Sequence, residues 1–417
     1  MLRKLERVFL SFGFTPIDTP ALEYAEILLG KGSAETDKQL FRFLDNGGRD
    51  VALRFDLTIP LARFVAQHCN ELVFPFKRFH VAPVWRAEKP QRGRFREFIQ
   101  CDFDTIGSDS PTADAEILTI VHNALRELQI SHQIRVNNRK ILNGLLEKLN
   151  ARDKSVTVLR TIDKLDKLGR EIVQGELKEA AGLDDSQIGA IFEYVSLSES
   201  GLQQKELLLE LKKLTGPAGV DELSRVLEAS THLGVDESVL IVDLSIARGL
   251  DYYTGTVYET RFTEIPEIGS ISSGGRYDEL ASLYINRKLP GVGGSIGLDR
   301  VIAGLSELER VSVKNSPAQV FVTLLDQSSE TVACQIAAAL REKGVATEIA
   351  LEVGQLGSQL KLADRKGIPF AIILGEREVS SGVCSVKDLA AKTQEDGIPL
   401  GEVARYFVKK FLGQDLS

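Results

Sequence analysis

The sequence predicts an α+β core, an antiparallel sheet flanked by helices and broken by a helical insertion, followed by a separate α/β domain. Three observations predict it. Residues 74–107 read as a strand, a basic loop and a strand (FPFKRFHVAPVWR, EKPQRGR, FREFIQCDFDTIG), which is an antiparallel hairpin. From about 145 to 235 short charged helices such as KLDKLGREIVQGELKEA and ELSRVLEAS replace that pattern, with no strand pair. After Pro317 apolar strands alternate with helices, the signature of an α/β layer. A core over 1–310 with an insertion at about 145–235, a linker at 311–317 and a second domain at 318–417 follow. The length of 417 residues, too great for one ordinary core, agrees with that division.

Each element has its own signal. In MLRKLERVFLSFGF, Leu2, Leu5, Val8, Phe9 and Phe12 recur at helical spacing between charges, which predicts an amphipathic core helix ended by Gly13 rather than a signal peptide. FTPIDTPALEY is extended and punctuated by proline. LFRFLD and VALRFD flank a glycine pair and read as a hairpin. IPLARFVAQH is a helix, and so is 111–129, which opens on Pro111. VLIVDL and TGTVYETRF are strands, and LPGVGGSIGLDRVIAGL is a glycine-rich strand running into a helix. In the last domain QVFVTLL, VATEIAL, PFAIILG and GVCSVKDL are strands. ETVACQIAAALREKG, QLGSQLKLADRKG and PLGEVARYFVKKFL are helices.

Composition excludes several classes. Apolar residues are 43% and charged residues 26%, which is globular rather than disordered. A formal net charge of -8 gives no global sign of nucleic-acid binding, although a local basic patch can still hold phosphates. The four cysteines are widely spaced with no CxxC, which favours a reducing compartment over a disulfide framework or zinc site. The five histidines do not cluster, so a histidine-built metal site is not expected. No run is long enough to span a membrane, and a cytoplasmic soluble protein is expected.

Five stretches could carry chemistry. In 85–104, Arg86, Lys89, Arg92, Arg94 and Arg96 crowd the loop, and Phe98, Gln100, Asp102 and Asp104 share one face of the returning strand. That face suits a polar ligand beneath a polyanion such as a triphosphate, and equally fits a solvated hairpin with a charged turn. Asp56 and Thr58, at a strand-to-helix junction, could hold an ammonium group or simply cap the helix. In IARGLDYYTGTVYET, Arg248 could face a phosphate, and Tyr252 and Tyr253 could offer hydroxyls to a heteroaromatic ligand; aromatic packing with an Arg248–Asp251 ion pair is the alternative. The glycines of SGGRYDEL and GVGGSIGLDR would let backbone approach a ligand closely, ahead of Arg300. Neither is a P-loop, so arginines would have to hold any triphosphate.

These pieces resemble the signature motifs of the class II aminoacyl-tRNA synthetases. Pro20 of FTPIDTPALE is similar to the motif 1 proline, 84-VWRAEKPQRGRFREFIQCDFD-104 to motif 2, and GSIGLDR to motif 3. ARGLDYY and SGGRYDEL resemble the two motifs peculiar to the histidyl-tRNA synthetase family, and LKLADRKGIPFAIILGEREV with GVCSVKDL resembles that family's anticodon-binding domain. The resemblance implies ATP-dependent activation of histidine and its transfer to tRNA(His), by a homodimer with magnesium accompanying ATP. It implies that Arg86 contacts the α-phosphate and the histidine carboxylate, that Glu88 and Phe98 hold adenine, and that Arg94 and Arg300 hold the γ-phosphate. Asp56, Thr58 and Gln100 would receive the α-amino group. Asp104 and Tyr253, with Tyr252 beside them, would bind the imidazole, and Arg248 would neutralise the reacting phosphate. Lys361, Arg365, Lys366 and Lys387 are candidate RNA contacts or ordinary surface charges. Family members carry an extended segment ahead of the first helix, so a native start upstream of Met1, or a shortened protein, is expected. The alternative is a catalytically silent relative, the regulatory subunit of ATP phosphoribosyltransferase. The presence of the last domain and of Arg86, Arg94, Arg248 and Arg300 favours the enzyme.

Overall fold

The computed structural model describes residues 1–29, 40–89, 93, 95–246, 253–279, 282, 284, 285, 287–311 and 315–412. The chain forms two compact units, Met1–Arg310 and Val311–Ser417.

The first unit is built on a mixed sheet. Its strands are β1 (Thr15–Pro16), β5 (Phe76–Trp85), β6 (Glu97–Ile106), β7 (His132–Asn138), β8 (Leu240–Val242), β9 (Thr256–Phe262), β10 (Ser272–Arg276) and β11 (Gly291–Gly297). They lie in the order β1-β5-β6-β11-β10-β9-β7-β8. From β5 to β7 every pairing is antiparallel, as expected. The two edge strands β1 and β8 join in parallel, because long connections return them to the sheet. A smaller sheet pairs β4 (Asp50–Leu53) with β2 (Leu22–Tyr24) and β3 (Arg42–Leu44). The Asp45 carboxylate closes the β3–β4 turn by accepting from the Gly47 and Arg49 amides, each at 2.9 Å.

The two faces of the main sheet differ. On one, helix Leu2–Ser11 buries Leu5 and Phe9, and the Phe9 ring lies 5.3 Å from Phe79 and 5.2 Å from Phe103. On the other, the in-register pairs Arg78–Asp104 and His80–Asp102 put buried charge where a core would be apolar. Period-two alternation in β5 and β6 makes both faces from one hairpin.

Between β7 and β8 the chain is helical, from Arg139–Lys148 to Ala218–His232. The last of these helices packs back on helices Pro111–Glu127 and Arg139–Lys148. A side chain at Gly219 would meet the backbone of Lys140 and Ile141, so that close approach needs glycine.

The second unit has strands β12 (Val320–Val322), β13 (Thr347–Ile349), β14 (Phe370–Ile373), β15 (Val383–Asp388) and β16 (Thr393–Pro399), in the order β13-β12-β14-β15-β16. β12 is parallel to β13 and β14, and the rest is antiparallel. Its core joins Val320, Val322, Ile336, Leu340, Ile372 and Phe407. Among the described residues no helix is long and apolar enough to cross a membrane.

Candidate active site

A cavity of about 510 Å³ opens over the charged face of the sheet. Four stretches distant in sequence supply its walls. Asp56 and Thr58 come from the turn after β4. Arg86, Glu88, Phe98, Gln100, Asp102 and Asp104 come from the β5–β6 hairpin. Tyr253 and Tyr277 flank β9 and β10, and Ser295 and Arg300 come from β11 and the helix after it.

Asp56 is buried at 3% exposure. Its Oδ1 accepts from the Ile59 amide at 3.1 Å, while Oδ2 has no protein partner. One oxygen thus serves the start of the helix, and the other is without a partner on the cavity. Gln100 donates through Nε2 to Ser295 Oγ at 3.0 Å, which leaves its Oε1 without a donor. Asp102 Oδ1 also lacks one. Asp104 is not a lone carboxylate: Oδ2 lies 2.6 Å from Arg78 Nη2, and Oδ1 accepts from the Tyr277 hydroxyl.

Burial dominates the electrostatics. It pushes Asp56 up to about 6 against the pull of Ile59 N–H, Arg86 and Arg78. Asp102 goes up to about 7, with Arg78 opposing and Asp104 adding to the rise. Asp104 is also raised by burial, against Arg78 and Tyr277. Burial holds His80, across the ladder from Asp102, down to about 4, with Arg78 and Arg54 adding to the effect. Burial raises Tyr253 and Tyr277 as well, so both present neutral hydroxyls.

Arg86 donates through Nε to the Phe55 carbonyl at 3.0 Å, and its guanidinium lies 5.1 Å from the Phe98 ring centroid. Arg300 is held by the Ser270 carbonyl. The Arg139 guanidinium donates to the Tyr253 carbonyl at 2.8 Å and lies 5.8 Å from its ring. The glycines of β11 make room chiefly for protein. A side chain at Gly293 would strike the Asp104 carboxylate, and one at Gly294 the Tyr258 hydroxyl.

The histidyl-tRNA synthetase family model matches residues 1–301. The chain belongs to the histidyl-tRNA synthetase family. An anticodon binding domain model matches residues 319–410. A histidine–tRNA ligase of Rhodopirellula baltica is 48% identical over 402 residues, covering 95% of this chain and 90% of that protein. One from Helicobacter hepaticus is 43% identical, covering 95% and 92%. The crystal structure of histidyl-tRNA synthetase from Nostoc sp. PCC 7120 superposes with a TM-score of 0.87 at 34% identity, over 98% of this chain and 94% of that one. A Bacillus halodurans protein described as an ATP phosphoribosyltransferase regulatory subunit/histidyl-tRNA synthetase shares the fold alone, at 22% identity and a TM-score of 0.73 over 89% and 92%.

Of the residues that the family resemblance singles out, Asp56, Thr58, Arg86, Glu88, Phe98, Gln100, Asp104, Tyr253 and Arg300 line the one cavity. Arg94, Arg248 and Tyr252 lie outside the described residues. The sequence placed Asp102 on the polar face as part of a ligand floor but gave no role to Arg78 or Tyr277. The signal for Arg78 is its place in FPFKRFHV, where a strand otherwise bound for the core carries an arginine facing Asp104.

Proposed function

We propose that the chain activates L-histidine with ATP to histidyl-adenylate and transfers the histidyl group to tRNA(His). Membership of the histidyl-tRNA synthetase family supports the reaction class. One observation supports the residue assignments: Asp56 Oδ2, Gln100 Oε1 and Asp102 Oδ1 are acceptors without donors on a single cavity. An α-ammonium group carries three N–H donors and a positive charge, and it would satisfy acceptors that are costly to bury unpaired. Thr58 stands beside them. Asp104 and Tyr253, joined by Tyr252, take the imidazole. Asp104 Oδ2 meets Arg78 as an ion pair and accepts no hydrogen bond from the protein, and Oδ1 has a second acceptor direction beyond Tyr277. Phe98 and Glu88 hold adenine, and Arg94 and Arg300 hold the γ-phosphate.

The chemistry is placement and charge stabilisation. The histidine carboxylate is already ionised and needs no general base. Its oxygen forms a bond to the α-phosphorus as the bond to pyrophosphate breaks. Arg86 and Arg248 stabilise charge on the equatorial oxygens from two sides. A ribose hydroxyl of the tRNA then attacks the acyl carbon and releases AMP. Magnesium belongs to this proposal as the companion of the ATP phosphates; among the described residues no group of three or more His, Cys, Asp or Glu could hold a metal.

The same reading makes 1–310 the catalytic domain with its insertion at about 145–235, and 318–417 the anticodon-binding domain beyond a linker at 311–317. Lys361 and Arg365 are exposed there, whereas Lys366 pairs with Glu348. A homodimer working in the cytoplasm completes it. The regulatory-subunit alternative is not favoured, since the relatives at 48% and 43% identity are both named histidine–tRNA ligase. Histidine-dependent ATP–pyrophosphate exchange by the purified chain is the expected result. Silence in that assay with a folded protein would sink the proposal.

A further inference from the structure

We propose that Arg78 is a positioning residue that fixes the charge and the aim of Asp104, and so determines how well the site takes an imidazole. The inference rests on the role of Asp104 proposed above. Arg78 lies on β5 directly across the ladder from Asp104 and is 0% exposed. Its Nη2 lies 2.6 Å from Asp104 Oδ2 and donates to the Leu57 carbonyl at 3.1 Å, while Nε and Nη1 have no protein acceptor. A guanidinium does not lose its proton in a protein, so this is a fixed buried charge. On the other oxygen the Tyr277 hydroxyl completes the grip, and the carboxylate cannot rotate freely. Leu57 lies between Asp56 and Thr58, so the same guanidinium ties their turn to β5.

Charge makes the arrangement more than a strut. The titratable groups around Asp104 and its neighbours are Asp56 from the β4 turn, Asp102 on its own strand, His80 on β5, Glu259 and Tyr258 on β9, Tyr277 and Tyr253. Arg86 is half-buried at the far end. Arg78 is the cation that opposes the burial of Asp102 and Asp104, and at Asp56 it adds to the larger effect of Arg86. Without it Asp104 drifts towards its neutral form, and a neutral acid is a poorer acceptor for an imidazole N–H.

The test is histidine-dependent ATP–pyrophosphate exchange, read as KM and kcat at pH 6, 7 and 8, with melting curves to establish folding. Arg78→Met is expected to raise the histidine KM by about tenfold or more and to leave the ATP KM alone. The variant-to-wild-type KM ratio should grow as pH falls. Histidine's own imidazole titrates in this range, but it does so equally for both proteins and cancels in the ratio. Arg78→Lys, which keeps a charge, should recover much of the loss. In an Asp104→Asn background Arg78→Met should add no pH-dependent loss, which separates Asp104 from Asp102 and Asp56. A melting loss in Arg78→Met with an unchanged KM, or a ratio flat in pH, overturns the inference and leaves a structural ion pair. If Asp104→Asn alone leaves the histidine KM unchanged, the imidazole role of Asp104 fails and the inference falls with it. If Asp104→Asn raises KM but neither Arg78 variant does, the inference alone fails.

Discussion

Asp56 divides two tasks between two oxygens. Oδ1 holds the Ile59 amide at the start of helix Thr58–Gln67, and in the proposed function Oδ2, which has no protein partner, takes the ligand. The two can be separated by substitution. An amide at this position keeps an oxygen for Ile59 but loses the charge that attracts an ammonium. Asp56→Asn is therefore expected to raise the histidine KM by about tenfold, the scale of a charge-assisted hydrogen bond, with little change in melting temperature. Asp56→Ala should lose the same binding and about 1 kcal/mol of stability besides, the usual worth of a side chain that caps a helix. Exchange kinetics and denaturant melts on the two variants check both numbers. Equal stability loss in Asn and Ala would mean that the cap is not what Oδ1 does. From the sequence, cap and ligand stood as rival readings of Asp56, because spacing shows where a carboxylate lies and not what each of its oxygens meets.

Strands β6 and β11 show what was legible and what was not. The polar face Phe98, Gln100, Asp102, Asp104 follows from period two alone, and all four line the cavity. The glycines of β11 signalled a close approach, but the approaching groups are side chains of β6 and β9, which pattern cannot name. Strand β16 left no signal, since TQEDGIP lies at a sheet edge with only Ile398 buried and so has no apolar alternation. β7 hides Ile134 and Val136 between His132, Gln133, Arg135 and the two asparagines. The β11 contacts carry an expectation of their own. Gly293→Ala would displace the Asp104 carboxylate from Arg78 and Tyr277, and Gly294→Ala would displace the Tyr258 ring on the opposite face. Both should cost stability, about 1–3 kcal/mol as overpacking does. Only Gly293→Ala should also raise the histidine KM, because only its methyl group enters the cavity side. Denaturation curves paired with exchange kinetics would show this split, and an equal KM change in both variants would contradict the assignment of faces.

For the whole molecule, the buried acids make stability and ligand binding depend on pH in opposite senses. Asp56 and Asp102 titrate at about 6 and about 7 when folded, both raised by burial, whereas an unfolded aspartate titrates near about 3.9. Between those limits the folded chain holds more protons than the unfolded one. The contribution of these groups is thus fully present below about pH 4 and is lost as pH rises through their folded values. For Asp102 the loss is at most about 4 kcal/mol, taking 1.36 kcal/mol per unit. An ammonium ligand prefers the ionised acids, so the stabilisation that histidine confers should grow over the same window. The unliganded protein should therefore melt at a lower temperature at pH 8 than at pH 6, and added histidine should raise the melting temperature more at pH 8. Other groups titrate as well, so Asp102→Asn supplies the comparison: it should flatten the unliganded slope and shrink the pH dependence of the histidine shift. Parallel slopes in wild type and Asp102→Asn would show that the acids under the cavity are already ionised at pH 6, and that burial does not govern their charge.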